Sequence, residues 1–245
     1  MRFLILFLFT INVFSNQIAI KTIYLCSETP ACLKNYSNAN YTLKIKNKNK
    51  IEVKVNYAPL KIPSPYPFEI KERRLITLIE KNKSNSEELI LFAHEIKQKS
   101  KGYYQCVDNV LNFVSKNFKY SNTINPPLKG DCNTAALTTV KLLALCNIPA
   151  RIRYVIKFEN TKKTTISGKS LHAIVEIYYP RYGWAFSDPV KYHHFVPSTY
   201  LLICNSQTLL GTTFKIKNNL TKKGFTDILK KKTIVYKLPN LFRFY

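Results

Sequence analysis

The spacing of apolar positions changes along the chain, and each change predicts a different element. Between Tyr41 and Tyr57, Leu43 and Ile45 alternate with lysines, Asn47-Lys48-Asn49-Lys50 supplies a polar turn, and Ile51, Val53 and Val55 alternate again. That is the pattern of a β-hairpin. The residues before it, about 17–40, read as polar and irregular, and Phe68 to Ile79, past Pro59, Pro63, Pro65 and Pro67, reads as a returning strand. From Ser84 the period lengthens. A serine with Glu87 three residues on forms a capping-box start, and Leu89, Phe92, Ala93 and Ile96 follow at helical spacing. Val107, Val110, Leu111, Val114 and Phe118 form a second helical stripe.

Cys132 to Leu145 is apolar on most sides (Ala135, Ala136, Leu137, Val140, Leu142, Leu143, Leu145), which predicts a central, buried helix, stopped by Asn147 and Pro149. Arg151 to Phe158 and Leu171 to Tyr179 are strand-like, joined by the polar loop Glu159 to Ser170. Pro180-Arg181-Tyr182-Gly183 turns the chain back into Trp184-Ala185-Phe186-Ser187-Asp188. The remainder, to Tyr245, is short strand candidates between polar loops, with no internal repeat.

At 245 residues, 46% of them apolar, the chain can bury one good-sized core or a core plus a small appended lobe. Its formal charge of +24 comes from lysine spread along the whole length. This reads as a solvated surface, with attraction to an anionic envelope as the functional alternative. No stretch interleaves basic and aromatic residues as a nucleic-acid module does, so no nucleic-acid partner is expected. Met1-Arg2 and the apolar run Phe3 to Phe14 would span only about 18 Å as a helix, which suits a cleaved signal peptide better than an anchor. Export would make disulfides available to the six cysteines, at 26, 32, 106, 132, 146 and 204. Cys132 and Cys146 should not pair, because roughly 21 Å of helix separates them. No Cys/His spacing suits zinc, and His193-His194 reads as a loop pair, so neither metal nor cofactor is expected.

The candidate chemistry lies in Cys132, His172 and Asp188. A cysteine attacks as its thiolate, which a helix N-terminus and a nearby imidazole both favour. Gly130 lets the backbone turn into the helix, Asp131 can cap it, and the first-turn N–H groups can receive an oxyanion. On the histidine strand, Leu171, Ala173, Val175, Ile177 and Tyr179 are apolar and should face the core. His172, Ile174, Glu176 and Tyr178 should then face a cleft or solvent. For Asp188 to lie directly opposite His172 the hairpin must centre on Pro180, which calls for a bulge or a tighter turn. If the two meet, Asp188 holds the imidazole in one tautomer and stabilises its charged form.

Gly130-Asp131-Cys132 together with Leu142-Leu143-Ala144-Leu145-Cys146-Asn147-Ile148-Pro149-Ala150-Arg151 resembles the thiol helix and following strand of the transglutaminase-like superfamily. His172-Ala173-Ile174-Val175-Glu176-Ile177-Tyr178 resembles its histidine strand, and Gly183-Trp184-Ala185-Phe186-Ser187-Asp188-Pro189 its tryptophan–aspartate segment. The resemblance implies an α+β fold with a papain-like core, a central thiol helix packed on an antiparallel sheet, behind a small N-terminal β-rich lobe. It implies Cys132 as nucleophile, His172 as base and Asp188 as orienter, working on the amide bond of a protein or peptide through a thioester. Asn147 stands where the family often has glycine, Ile174 where it often has an aromatic, and the crosslinking enzymes' tryptophan upstream of the thiol has no counterpart here. That last departure favours hydrolysis over crosslinking.

The expected organisation is a signal peptide at 1–15, the β-rich lobe at 16–83, the core at 84–200, and strands completing or flanking it at 201–245. The expected location is extracytoplasmic. A non-catalytic binding or structural module on the same fold is the alternative.

Overall fold

A computed structural model describes residues 18–25, 33–57, 60, 64–158, 163–165, 171–203 and 213–217. The proposed signal peptide, Cys26, Cys32 and Cys204 lie outside the described residues. Strands β1 (Ile18–Leu25), β2 (Tyr36–Ser37), β3 (Tyr41–Asn47) and β4 (Lys50–Asn56) precede the helices α1 (Arg73–Asn82), α2 (Glu87–Gln98) and α3 (Tyr103–Asn117). The short strands β5 (Lys119–Tyr120) and β6 (Lys129–Gly130) then lead into α4 (Cys132–Leu145). After it come β7 (Ala150–Lys157), β8 (Lys163–Thr165), β9 (Leu171–Tyr179), β10 (Gly183–Ser187), β11 (Tyr200–Leu202) and β12 (Thr213–Lys217).

The element on which everything else is mounted is the four-stranded antiparallel sheet β10-β9-β7-β11. One face carries Ala150, Ala173, Val175, Ile177, Tyr179 and Ala185, which share a core with α2, α3 and α4. The period-2 geometry of strands sends Val155, Ile174, Phe186 and Leu202 to the other face. There they meet Ile23, Tyr41, Leu43, Ile51, Val53 and Val55 of the N-terminal strands in a second core. Helix α4 packs on β7 and β9 and is itself covered by α1, α2 and α3, so nearly every side of it is buried. This explains why its sequence is apolar all round rather than along one stripe.

The hairpin β3–β4, the helices α2, α3 and α4, and the strands β7, β9 and β10 form where their periodicity predicts them. Other expectations are corrected. The segment read as irregular contains β1, which pairs antiparallel with β4 on one side and β12 on the other. Its inward set, Ala19, Lys21, Ile23 and Leu25, includes a buried lysine, and that breaks the alternation a reader looks for. Phe68 to Ile79 is not a strand: Leu75 and Ile79 stand one turn apart on α1 and are buried where that helix meets α4. Helix α2 is capped by Ser86, whose hydroxyl accepts from Leu89 N, while the Ser84 hydroxyl, two residues earlier, accepts from Ser86 N. The polar loop after β7 contains β8, and with β12 it extends the N-terminal sheet to the order β2-β3-β4-β1-β12-β8.

One buried asparagine ties the N-terminal strands to the central sheet at three points. Asn40 is buried; its Nδ2 donates to Phe186 O (2.8 Å) and His194 O (3.0 Å), and its Oδ1 accepts from Phe186 N (2.9 Å). Beside it, the buried Glu176 carboxylate accepts from Asn38 Nδ2 (2.9 Å), Arg151 Nε (2.8 Å) and the Tyr36 hydroxyl. Asn40→Ala strands three buried backbone groups at once. It is expected to lower unfolding free energy by about 2–4 kcal/mol, read as a displaced midpoint in urea with an unchanged slope.

Candidate active site

Gly130 begins the construction. It holds φ +155°, and a Cβ there would lie 2.6 Å from Thr134 Oγ1 and 2.9 Å from Thr134 Cβ. Only glycine fits this approach to the first helical turn. Asp131 follows as N-cap, its Oδ1 accepting from Thr134 N (3.0 Å) and from Thr134 Oγ1 (3.1 Å). The carboxylate is therefore turned onto the helix amides, and its charge only weakly opposes ionisation of the neighbouring thiol. Cys132 stands at the first position of α4, half-buried, where the helix N-terminus favours negative charge.

The sulfur meets the beginning of β9, hydrogen-bonded to the His172 ring and to the Ala173 backbone N–H. The ring in turn bonds Asp188 Oδ2 through Nε2 at 2.8 Å, which leaves Nδ1 for the sulfur. The structure thus brings all three residues singled out in the sequence into one connected set. The way it does so differs from expectation. The pairing Ser187↔Val175 sets Asp188 across from Ile174, so carboxylate and imidazole are not directly opposed. They meet diagonally, two residues offset, with no bulge between β9 and β10. Glu176 faces away from the helices and is covered by Tyr36 and Asn38 of the N-terminal lobe, while His172, at the start of β9, reaches the first residue of α4; both residues are buried rather than openly exposed.

Burial and hydrogen bonding compete at each group. Burial pushes the Cys132 thiol up, but the His172 hydrogen bond, the Ala173 N–H and the imidazole charge together bring it below the ordinary thiol value. Burial pushes His172 down, and the bonds to Asp188 and Cys132 with the Asp188 charge bring it above the ordinary imidazole value. Burial pushes Asp188 up, and the His172 bond and charge hold it below the usual carboxylate range. Tyr200 Oη donates to Asp188 Oδ2 (2.9 Å), and the backbone N–H groups of Val190 (3.2 Å) and Lys191 (3.3 Å) donate to Oδ1. All three shifts act toward the thiolate, the imidazolium and the carboxylate.

Two contributors carry no sequence signal. Tyr200 packs its ring edge against His172 at 5.7 Å between centroids, and its carbonyl accepts from Tyr41 Oη (2.9 Å) of the N-terminal hairpin. Tyr120, paired with Gly130 across β5 and β6, is exposed at the mouth of the site. Its phenol is pushed up to about 12 by partial burial and by the negative charges of Asp188, Cys132 and Asp131. His193 and His194 occupy the turn after Asp188. His194 bonds Tyr179 Oη (2.7 Å) and Asp108 Oδ1 (3.1 Å), and no group of three or more metal-ligating side chains occurs among the described residues.

Residues 91–189 match the model of one protein family, the transglutaminase-like superfamily. A candidate cysteine protease from Cytophaga hutchinsonii is similar in structure over 84% of this chain and 82% of its own, at 14% identity and a TM-score of 0.46. The periplasmic domain of TgpA from Pseudomonas aeruginosa is similar over 70% of this chain and 71% of its own, at 15% identity and a TM-score of 0.38. A candidate protease from Parabacteroides distasonis is similar over 70% of this chain and 37% of its own, at 13% identity and a TM-score of 0.33. No curated protein matches the chain in sequence.

Alkylation of Cys132 by iodoacetamide should follow the thiolate. The lowered thiol pKa means reaction persists on the acid side of about pH 8.5, and His172→Ala should move the titration up toward that value. Gly130→Ala should displace Thr134 and the first turn of α4, costing about 1–3 kcal/mol of stability and slowing alkylation by about tenfold.

Proposed function

We propose, since residues 91–189 belong to the transglutaminase-like superfamily, that this chain is a cysteine enzyme acting on amide bonds of protein or peptide substrates, and a hydrolase rather than a crosslinker. The observation that carries the reading is the continuous hydrogen-bonded set Cys132–His172–Asp188, with the thiol pKa lowered and the imidazole pKa raised. A packed structural thiol has no use for that polarity.

In this reading the Cys132 thiolate attacks the carbonyl carbon, forming the C–S bond and a tetrahedral oxyanion. The N–H of Cys132, at the mouth of α4 and outside the Asp131 cap, receives that oxyanion. As the C–N bond breaks, the His172 imidazolium gives its proton to the departing amine, leaving a thioester. His172, neutral again, takes a proton from water as its oxygen attacks the thioester carbon; the C–S bond then breaks, the carboxylic acid leaves and the Cys132 thiolate is restored beside the imidazolium. Asp188 holds the ring in one orientation throughout and stabilises its charged form. Tyr200 and the turn N–H groups keep that carboxylate ionised.

Water is favoured over an amine as acyl acceptor because the chain has no tryptophan upstream of Cys132. An extracytoplasmic location is consistent with the apolar run at Phe3 to Phe14, and no described helix is long and apolar enough to cross a membrane. The charge of +24 suits a substrate held in an anionic envelope.

The test is incubation of the purified chain with a peptide library in water and in water containing a primary amine. New free carboxyl termini or deamidated glutamines, lost with Cys132→Ala, are the expected result. Amine incorporation as the dominant product would overturn hydrolysis, and no turnover from a folded chain would leave a non-catalytic module. Tyr200→Phe should lower kcat about tenfold with KM little changed, because it removes one hydrogen bond from the orienting carboxylate and touches no substrate.

A further inference from the structure

Cys106 and Cys146 lie apart from the site just described, and nothing in its chemistry uses them. Cys106 is in the first turn of α3, Cys146 closes the C-terminus of α4, and both are buried in the core that joins those helices. Both are free thiols, they lie where α3 packs on α4, and each is the largest influence on the other's ionisation, which makes the sulfurs neighbours across the helix interface. The Tyr66 hydroxyl reaches both sulfurs and donates to Cys146 O at 3.2 Å, and Ser100 also reaches Cys106. A metal does not suit the cluster: two thiols and a phenol fall short of the four nitrogen and sulfur ligands of a structural zinc site.

We propose that Cys106 and Cys146 form a structural disulfide that ties the start of α3 to the end of α4. Two buried thiols held side chain to side chain across two elements need little backbone movement to be joined. The oxidant is an external disulfide, low-molecular-weight or protein-borne, acting during folding before the pair is buried. One cysteine thiolate attacks that disulfide and releases one thiol. The second cysteine then displaces the other thiol from the mixed disulfide. Two S–H bonds and one external S–S bond are lost, one protein S–S bond and two external S–H bonds are gained, and two electrons pass to the external disulfide. The closed loop of about 40 residues contains Tyr120, Gly130 and Cys132. The Cys132 sulfur is at the opposite end of α4 and remains free. Oxidation in the cell rests on the extracytoplasmic reading above; the juxtaposition of the two sulfurs does not.

The full chain, denatured and reduced, is refolded in a mixture of oxidised and reduced glutathione. Remaining thiols are then blocked with N-ethylmaleimide, and a non-reducing digest is mapped by mass spectrometry. The expected result is a peptide pair joined through Cys106 and Cys146, with Cys132 recovered alkylated. The oxidised form should melt about 10 °C above the reduced form, and the Cys106→Ala/Cys146→Ala double variant should show no such difference. Recovery of both thiols alkylated, or of either one joined to a different cysteine, overturns the proposal. The link can form in a chain that hydrolyses nothing, and hydrolysis can proceed in a chain without the link, so the digest and the peptide assay fail separately.

Discussion

The sulfur of Cys132 rests against the N-terminal turn of one buried helix and the opening residues of one buried strand, and the geometry of the whole molecule follows from holding those two ends together. Helix α4 can present its first residue to β9 only if its remaining length is fixed against β7 and β9 on one side and α1, α2 and α3 on the other. β9 can present His172 and the Ala173 N–H only if it is locked between β7 and β10. Gly130 and the Asp131 cap set the last few ångströms. A Cβ at 130 would collide with Thr134, and the cap turns the nearest carboxylate away from the sulfur.

The electrostatic problem is the same at each of the three groups, and so is its solution. Burial opposes every charged form: it works against the thiolate, the imidazolium and the carboxylate alike. Linking them in a chain reverses the sign at all three, because each ionised neighbour offsets the desolvation of the next. The chain must then terminate in something that needs no further counter-charge. Asp188 supplies that terminus, with the Tyr200 hydroxyl and the Val190 and Lys191 N–H groups satisfying it by neutral hydrogen bonds.

Much of this was legible in the sequence where the information is local. The stripe of α3, the all-round apolar run of α4 and the alternation of β9 each declare an element within one window of residues, and Gly130-Asp131-Cys132 declares a helix start. What was not legible depends on distant pairing. β1 looks irregular because Lys21 takes an inward position and its partner β12 lies far along the chain. α1 follows a proline-rich stretch that argues for extended structure, and its assignment rests on Leu75 and Ile79 meeting α4. The offset between His172 and Asp188 is a property of sheet register, which no count of residues across a turn determines. Asn147 looked like a departure from glycine, yet it adopts φ 58°, the left-handed conformation that a helix C-terminus requires and that asparagine tolerates better than other side chains.

The N-terminal strands belong to the same mechanical argument. A sheet with one helical face and one solvated face could show a polar His172 side openly. Here the second face is covered, so every polar group on it must find a partner. Glu176 finds Arg151, Asn38 and Tyr36, and His172 finds Asp188. Tyr200 is held from behind by Tyr41, whose hydroxyl donates to Tyr200 O and accepts from Leu202 N. Asn40, one residue earlier, grips the backbone of Phe186 and His194 on either side of Asp188. One short stretch of the N-terminal hairpin therefore fixes both the segment that bears the carboxylate and the tyrosine that supports it. The lobe is part of the site's framework, and a core cut away from it would keep Cys132 and His172 in sequence while losing the restraints that make Asp188 point at the ring.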